Sequence, residues 1–351
     1  MGRGVGTVAE RAGRARRFAR LALGRLGSTA LVVWATATIV FVALRATGDP
    51  LEAVMGGPGS QAGPEAEAAA AAAYGFDQPV AVQYLRQLWQ VATLQLGDSY
   101  SRKLPVADLL AANFPATALL ATLALLLAWG LALVGVLIAQ TARGRFGTLV
   151  RGALHGLETV ASVTPQFFLG AILIVVFASG LGLFPVTGTG ASGLVLPVVT
   201  LAVPVAGYLA HVMHGSLIEA DAAPFALTAR ARGSSESRVA LSHTIRHAAL
   251  PALALSGWAY GSLLSGAVVV EALFARPGLG RLLLEASIGR DVPVVVGGVA
   301  IIALSYVVIM LVSDAIELVV DPRLRRRSGH PQDTGTSPRI PSSTVAQEVA
   351  P

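Results

Sequence analysis

Apolar and charged positions separate into long blocks along this chain rather than alternating, and the blocks set the elements. About 20 consecutive apolar residues suffice to cross a bilayer core as a helix. Six such spans are predicted, at 28 to 46, 115 to 141, 159 to 183, 194 to 217, 248 to 270 and 294 to 318. No charged side chain falls within 115 to 142 or within 159 to 210, where "GLFPVTGTGASG" supplies the turn that separates two spans. Pro165, Pro197 and Pro204 stand inside these apolar runs and are read as helix breaks in the middle of the membrane, which either shape a gate or curve the bundle. The segment 47 to 112 is the longest polar interval. Its Ala-rich run before Tyr74 predicts an amphipathic surface helix, and Phe76, Val80, Tyr84, Leu88 and Trp89 offer one side for burial.

Composition agrees with a membrane protein: 54% of the 351 residues are hydrophobic and 13% charged. The absence of cysteine excludes disulfides, thiolate metal sites and thiol nucleophiles. The net charge of +6 comes almost wholly from arginine, and its placement speaks for topology rather than for nucleic acid. With the N-terminus inside, 19 of the 26 Lys and Arg fall in cytoplasmic segments, so both termini are predicted in the cytoplasm. The Arg-rich start is read as a retained first span rather than a cleaved signal peptide, because its apolar run is long and carries Arg45. From Ser328 onward the chain is rich in Pro, Ser, Thr and Gln and is predicted to be disordered.

Between the fourth and fifth spans lies "PFALTARARGSSESRVALSHTIRHAALP", residues 224 to 251. Pro224 suits a first helical turn and Gly233 a C-terminal stop, with a second helix predicted from Ser235 toward Pro251. Ala226, Ala229 and Ala231 would let another surface approach closely. The residues alone leave two readings open: an arm that docks a partner, or a basic connector whose arginines meet anionic lipid.

"TARARG", followed 18 residues after its Gly by the Pro of "AALP", resembles the "EAA" loop of ABC importer permeases of the dipeptide/oligopeptide type. "GFDQPVAVQYLRQLW", "LGDSYSRKLPVADLL" and "NFPATALLATLALLLAW" are similar to that family's outer loop and second span. "EALFARPGLGRLLLEASIGRDVPVV" and "DPRLR" resemble its last third, so the likeness runs in order over about 29 to 327. Leu227 and Pro224 depart from the family pattern at the start of the arm.

The resemblance implies an all-α inner-membrane protein with six spans and a type I importer core. Its parts would be a basic cytoplasmic N-terminus (1 to 27), a first helix (28 to 46), an extracytoplasmic loop (47 to 112), a five-helix permease domain (113 to 322) and a tail (328 to 351). It implies a coupling helix that docks an ATPase through Phe225, Thr228, Ala229, Arg230, Arg232 and Gly233. The implied partners are a second permease subunit, two ATPases that bind the ATP and Mg, and an extracytoplasmic binding protein; no cofactor is implied for this chain itself. Di- or oligopeptides are the implied cargo, with nickel chelates or other small solutes as the alternative. A secondary transporter and a structural or signalling membrane protein are the rival classes; the first would want ionisable residues or inverted repeats within the spans, and the second would need no docking arm.

Other residues carry weaker signals. Glu271 ends the fifth span and either meets a substrate amine beside a permeation path or pairs with Arg276 or Arg281 at the boundary; Pro165 is the second residue assigned to that path. His211 and His214 share a helix face, but with no third ligand in view they read as an interfacial pair, and no metal is expected. No set of nucleophile and base can be assembled, so the chain is not expected to be an enzyme.

Overall fold

A computed structural model describes residues 23 to 320, apart from 25–26, 44, 47, 49, 56–62, 94, 143, 188–189 and 240–243. Most of the basic N-terminus and all of the tail from 328 lie outside the described residues, as does "DPRLR". Among the described residues the fold is all-α; the one strand-like pairing is a bridge between Asp98 and Pro105. The helices are α1 (Gly27–Ala43), α2 (Pro50–Val54), α3 (Pro64–Tyr74), α4 (Val80–Ala92), α5 (Val106–Thr141), α6 (Gly144–Val163) and α7 (Gln166–Leu173). A π-helical stretch, Ile174–Gly180, continues α7. There follow α8 (Ser192–Asp221), α9 (Pro224–Ala231), α10 (Glu236–Val239), α11 (Ile245–Ala254), α12 (Ser256–Leu273), α13 (Leu279–Ile288) and α14 (Val292–Val320).

Three of these, α5, α8 and α14, are long and apolar enough to cross a membrane by themselves. Two bent pairs raise the number to five: α6 with Gln166–Gly180, bent by 107°, and α11 with α12, bent by 52°. The first expected span appears as α1, a shorter apolar helix.

The prolines act differently from one another. Pro165 breaks the chain as expected and caps the start of α7. Pro197 and Pro204 do not break α8, which runs through both without interruption, and α11 likewise runs through Pro251 and bends only at Leu255. Each internal proline removes an N–H and frees the carbonyl four residues earlier. At Pro197 that carbonyl belongs to Gly193, and the buried guanidinium of Arg276 donates to it at 3.1 Å. A side chain from the connection between α12 and α13 thus satisfies the carbonyl, as a proline within a membrane helix requires.

The core gathers around α8, which packs against α5, α6, α7, α11 and α12. On α5 the buried face is Leu120, Ala121, Ala124, Ala128, Ala132, Val136 and Ala139, small residues at helical spacing. With lipid outside as apolar as leucine, association depends on close packing, and a stripe of alanine lets two backbones approach. Gly207 does the same for α8 and α6: an added β-carbon there would lie 2.5 Å from the carbonyl oxygen of Glu158.

In the segment 47 to 112 the amphipathic helix is α4, whose apolar residues gather on one face, not the Ala-rich α3, whose residues do not. Leu88 and Val91 of α4 pack with Val40 and Tyr100 against Ala37, Val292 and Val296. Val80 and Trp89, expected to be buried with them, are instead 52% and 69% exposed. Asp291 anchors the loop to the start of α14: its Oδ2 accepts the Ser99 hydroxyl at 2.5 Å, the Ser101 amide at 3.0 Å and the Ser101 hydroxyl at 2.8 Å.

Candidate functional site

The arm begins where α8 ends. Pro224 opens α9, Thr228 returns its hydroxyl to the Pro224 carbonyl at 2.7 Å, and the helix closes before Gly233, whose φ is +81°. A β-carbon at that φ meets its own backbone, so glycine is the residue suited to the stop. Arg230 folds back on the end of α8, donating to the Asp221 carboxylate at 2.5 Å and to its carbonyl at 3.0 Å. Gln140 of α5 reaches the same carboxylate at 3.4 Å, and Phe225 packs its ring on His247 of α11, centroids 4.6 Å apart. Ala226 is fully buried and Ala229 half-buried, so the small face expected to receive a partner is turned largely toward the chain itself. The outward face is Leu227, Thr228, Ala231, Arg232 and Gly233, with Leu227 56% exposed. Residues 240 to 243 of the arm lie outside the described residues.

A second feature lies among the spans. Gln166 of α7, Tyr306 of α14 and Trp258, Gly261, Ser262, Ser265, Gly266 and Val269 of α12 line a surface groove of about 540 Å³. The α12 residues recur at i, i+3, i+4 and i+7, and the opposite face of the same helix is the buried Ala259, Leu263, Ala267 and Val270. The side chains of Gln166, Ser262, Ser265 and Tyr306 have no hydrogen-bond partner among the described residues. Four such groups along one face are costly against hydrocarbon, so the groove is chemically suited to face water rather than lipid tails. Pro165 directly precedes Gln166 at its edge.

Glu271 does not join this groove. It is 1% exposed, its Oε1 accepts the Thr117 hydroxyl at 2.5 Å and its Oε2 the Arg281 amide at 3.1 Å. Thr117 in turn accepts the Leu279 amide at 2.8 Å. The pair therefore satisfies the first N–H groups of α13, where the helix dipole favours an anion. A carboxylate spent in this way has no face toward a permeating solute, which corrects the path reading; Arg281 does reach it, but through its backbone.

The histidines are also rearranged. His214 faces α6 rather than pairing with the exposed His211, and meets Glu158, Nδ1 to Oε2 3.1 Å, while His155 stands 3.7 Å from the same oxygen. The third group absent from a reading of α8 alone is thus supplied by "HGLE", whose His155 and Glu158 share one face of α6.

Residues 132 to 326 match the family model for the binding-protein-dependent transport system inner membrane component. A peptide transport system permease protein named from Brucella abortus is 32% identical over 317 residues, covering 87% of this chain and 98% of the relative. The chain belongs to the binding-protein-dependent transport permease family. A glutathione transport system permease protein of Salmonella paratyphi A is 33% identical over 303 residues, covering 84% and 94%. A solved amino acid ABC transporter aligns at 18% identity with a TM-score of 0.45, covering 62% of this chain and 94% of that one.

As a permease of this family the chain is a multi-pass inner-membrane protein. The arm, the groove and α6 through α14 all fall inside the matched region, while the helices α1 to α4 precede it. The sequence signal for the groove was the recurrence of Ser and Gly on one side of α12 opposite Leu and Ala, which a count of apolar residues does not register.

Proposed function

We propose that this permease is one half of a heterodimeric pore that imports di- or oligopeptides, driven by two partner ATPases and fed by an extracytoplasmic binding protein. Its translocation wall is the groove of α7, α12 and α14, and the observation that carries the reading is the row of unpartnered polar groups on otherwise apolar spans. The relatives named for peptide and glutathione transport support a peptide cargo over a metal chelate. The arm is the coupling helix, with Leu227, Thr228, Ala231, Arg232 and Gly233 outward and Phe225, Ala229 and Arg230 fastening it to the bundle. The division into an outer segment at 47 to 112 and a five-helix domain at 113 to 322 belongs to the same reading, as does a cytoplasmic location for both termini and the tail from 328.

Because the chain has no cysteine, single-cysteine labelling is direct. Ser262→Cys and Ser265→Cys should react with a membrane-impermeant thiol reagent in the assembled transporter, whereas Leu126→Cys, 63% exposed on α5, should not. Equal protection of all three would remove the groove from the path. Ser265→Trp should fill the groove and abolish uptake while the ATPases still co-purify.

The same reagent tests orientation. In intact spheroplasts a cysteine at Glu65 should label from outside, and one at Arg232 only after the membrane is opened. The reverse pattern would place the arm on the wrong side for an ATPase.

A further inference from the structure

Glu158 of α6 faces α5 and α8, 8% exposed, and neither of its carboxylate oxygens has a hydrogen-bond partner among the described residues. Gly135 of α5 faces Oε1, and Gly207 of α8 lets the α6 backbone close in at Glu158 itself. A buried carboxylate left without hydrogen bonds is unstable unless a cation compensates it. The nearest groups are imidazoles. His214, 7% exposed, directs Nδ1 at the Ala210 carbonyl at 3.0 Å, which leaves Nε2 buried and unpartnered. His155 is half-exposed, with its ring 4.3 Å from that of His214, centroid to centroid.

We propose that His155, Glu158 and His214 hold a divalent first-row transition cation, with zinc as the representative ion. One atom from each of the three lies within 4.8 Å of the other two. Tetrahedral zinc bound at about 2.0–2.2 Å needs its ligands roughly 3.4 Å apart, so modest rotation of the half-exposed His155 closes the set. Two imidazoles and one carboxylate are a donor set that zinc accepts, and solvent on the His155 side supplies the fourth position. His211, exposed and one turn before His214, lies outside the set. The ion clips α6 to α8 two turns from the start of the arm, a role separate from the transport path and from the choice of cargo.

The test uses the full chain in its detergent-purified complex, without a histidine tag, stripped with chelator and then titrated with zinc chloride and, separately, cobalt chloride. The wild-type complex should take up one more zinc per permease chain than the His214→Gln complex, and its cobalt form should show the visible absorption of a four-coordinate site. His155→Gln, a half-exposed change that leaves the packing alone, should weaken binding by at least about tenfold, since even outer-shell partners typically cost roughly 10- to 100-fold. His211→Gln should bind as wild type does. The proposal is overturned if wild type and His155→Gln take up the same zinc, or if His211→Gln loses as much as His155→Gln. Should Glu158→Gln fail to assemble, His155→Gln still decides.

Discussion

Gly233→Val should strip the ATPase subunits from the purified complex and bring uptake to background, while the amount of permease in the membrane stays unchanged. At φ +81° the residue is exposed, and apart from Gly233 itself and its two chain neighbours no atom of the described residues lies within 4 Å of an added β-carbon. The substitution therefore costs only the local strain of a left-handed backbone, roughly 1–2 kcal/mol, too little to unfold the bundle. What it changes is the outline of the arm where a partner must fit. Each 1.4 kcal/mol of lost docking free energy is about tenfold in Kd, so a displaced helix end and a branched side chain together should empty the site. Leu227→Asp tests the same face, because an apolar group 56% exposed on a helix that grips nothing has no reason to be kept from water. Arg232→Ala should do much less. Pull-down of the ATPases beside uptake of a labelled peptide separates the outcomes, and a Gly233→Val protein that keeps both would reduce the arm to a basic connector.

Gly278→Ala should destabilise the permease about as much as removing Glu271 outright. The backbone at Gly278 is extended, so any residue could adopt it; the obstacle is space. An added β-carbon would stand 2.3 Å from the carboxyl carbon and both oxygens of Glu271, which is sealed at 1% exposure and cannot withdraw. The carboxylate would have to leave Thr117 or the amide of Arg281, and overpacking of this kind costs about 1–3 kcal/mol before that loss is counted. Glu271→Ala orphans the same donors and opens a cavity, at about 3–5 kcal/mol. Thermal loss of the monodisperse peak in detergent is the readout. Both variants should melt well below wild type and Glu271→Gln, which keeps an acceptor, should fall between; a Gly278→Ala protein with the wild-type transition would show that the carboxylate is not the keystone of α12, α13 and α5.

How far these features can be read from sequence depends on how local their causes are. The spans are legible because a helix in lipid must satisfy its own backbone, which forces long apolar runs such as 115 to 141. The limits of α9 are legible too, since a proline at the start and a glycine at positive φ at the end act within a few residues. The direction its faces take is not, because eight residues make barely two turns and Ala226, Ala229 and Ala231 are equally small. The run 159 to 183 merged the end of an amphipathic helix with the start of a membrane one; the 107° bend falls at Thr164 and Pro165, between α6, which packs on α8, and α7. The surroundings of Glu271 were out of reach for a simple reason: Thr117, whose hydroxyl donates to its carboxylate, is 154 residues away. The same distance in sequence hid His155 and Glu158 from His214.

The proline at 197 and the guanidinium of Arg276 have a history as well as a geometry. Each bears on the other: without Arg276 the carbonyl of Gly193 lacks this donor in place of the amide that Pro197 removed, and with an ordinary residue at 197 that carbonyl returns to its own helix and the arginine forfeits this acceptor. A lineage that gives up one is thereby under pressure to give up the other, so across descendants of this permease the two positions should be inherited, or replaced, as a couple.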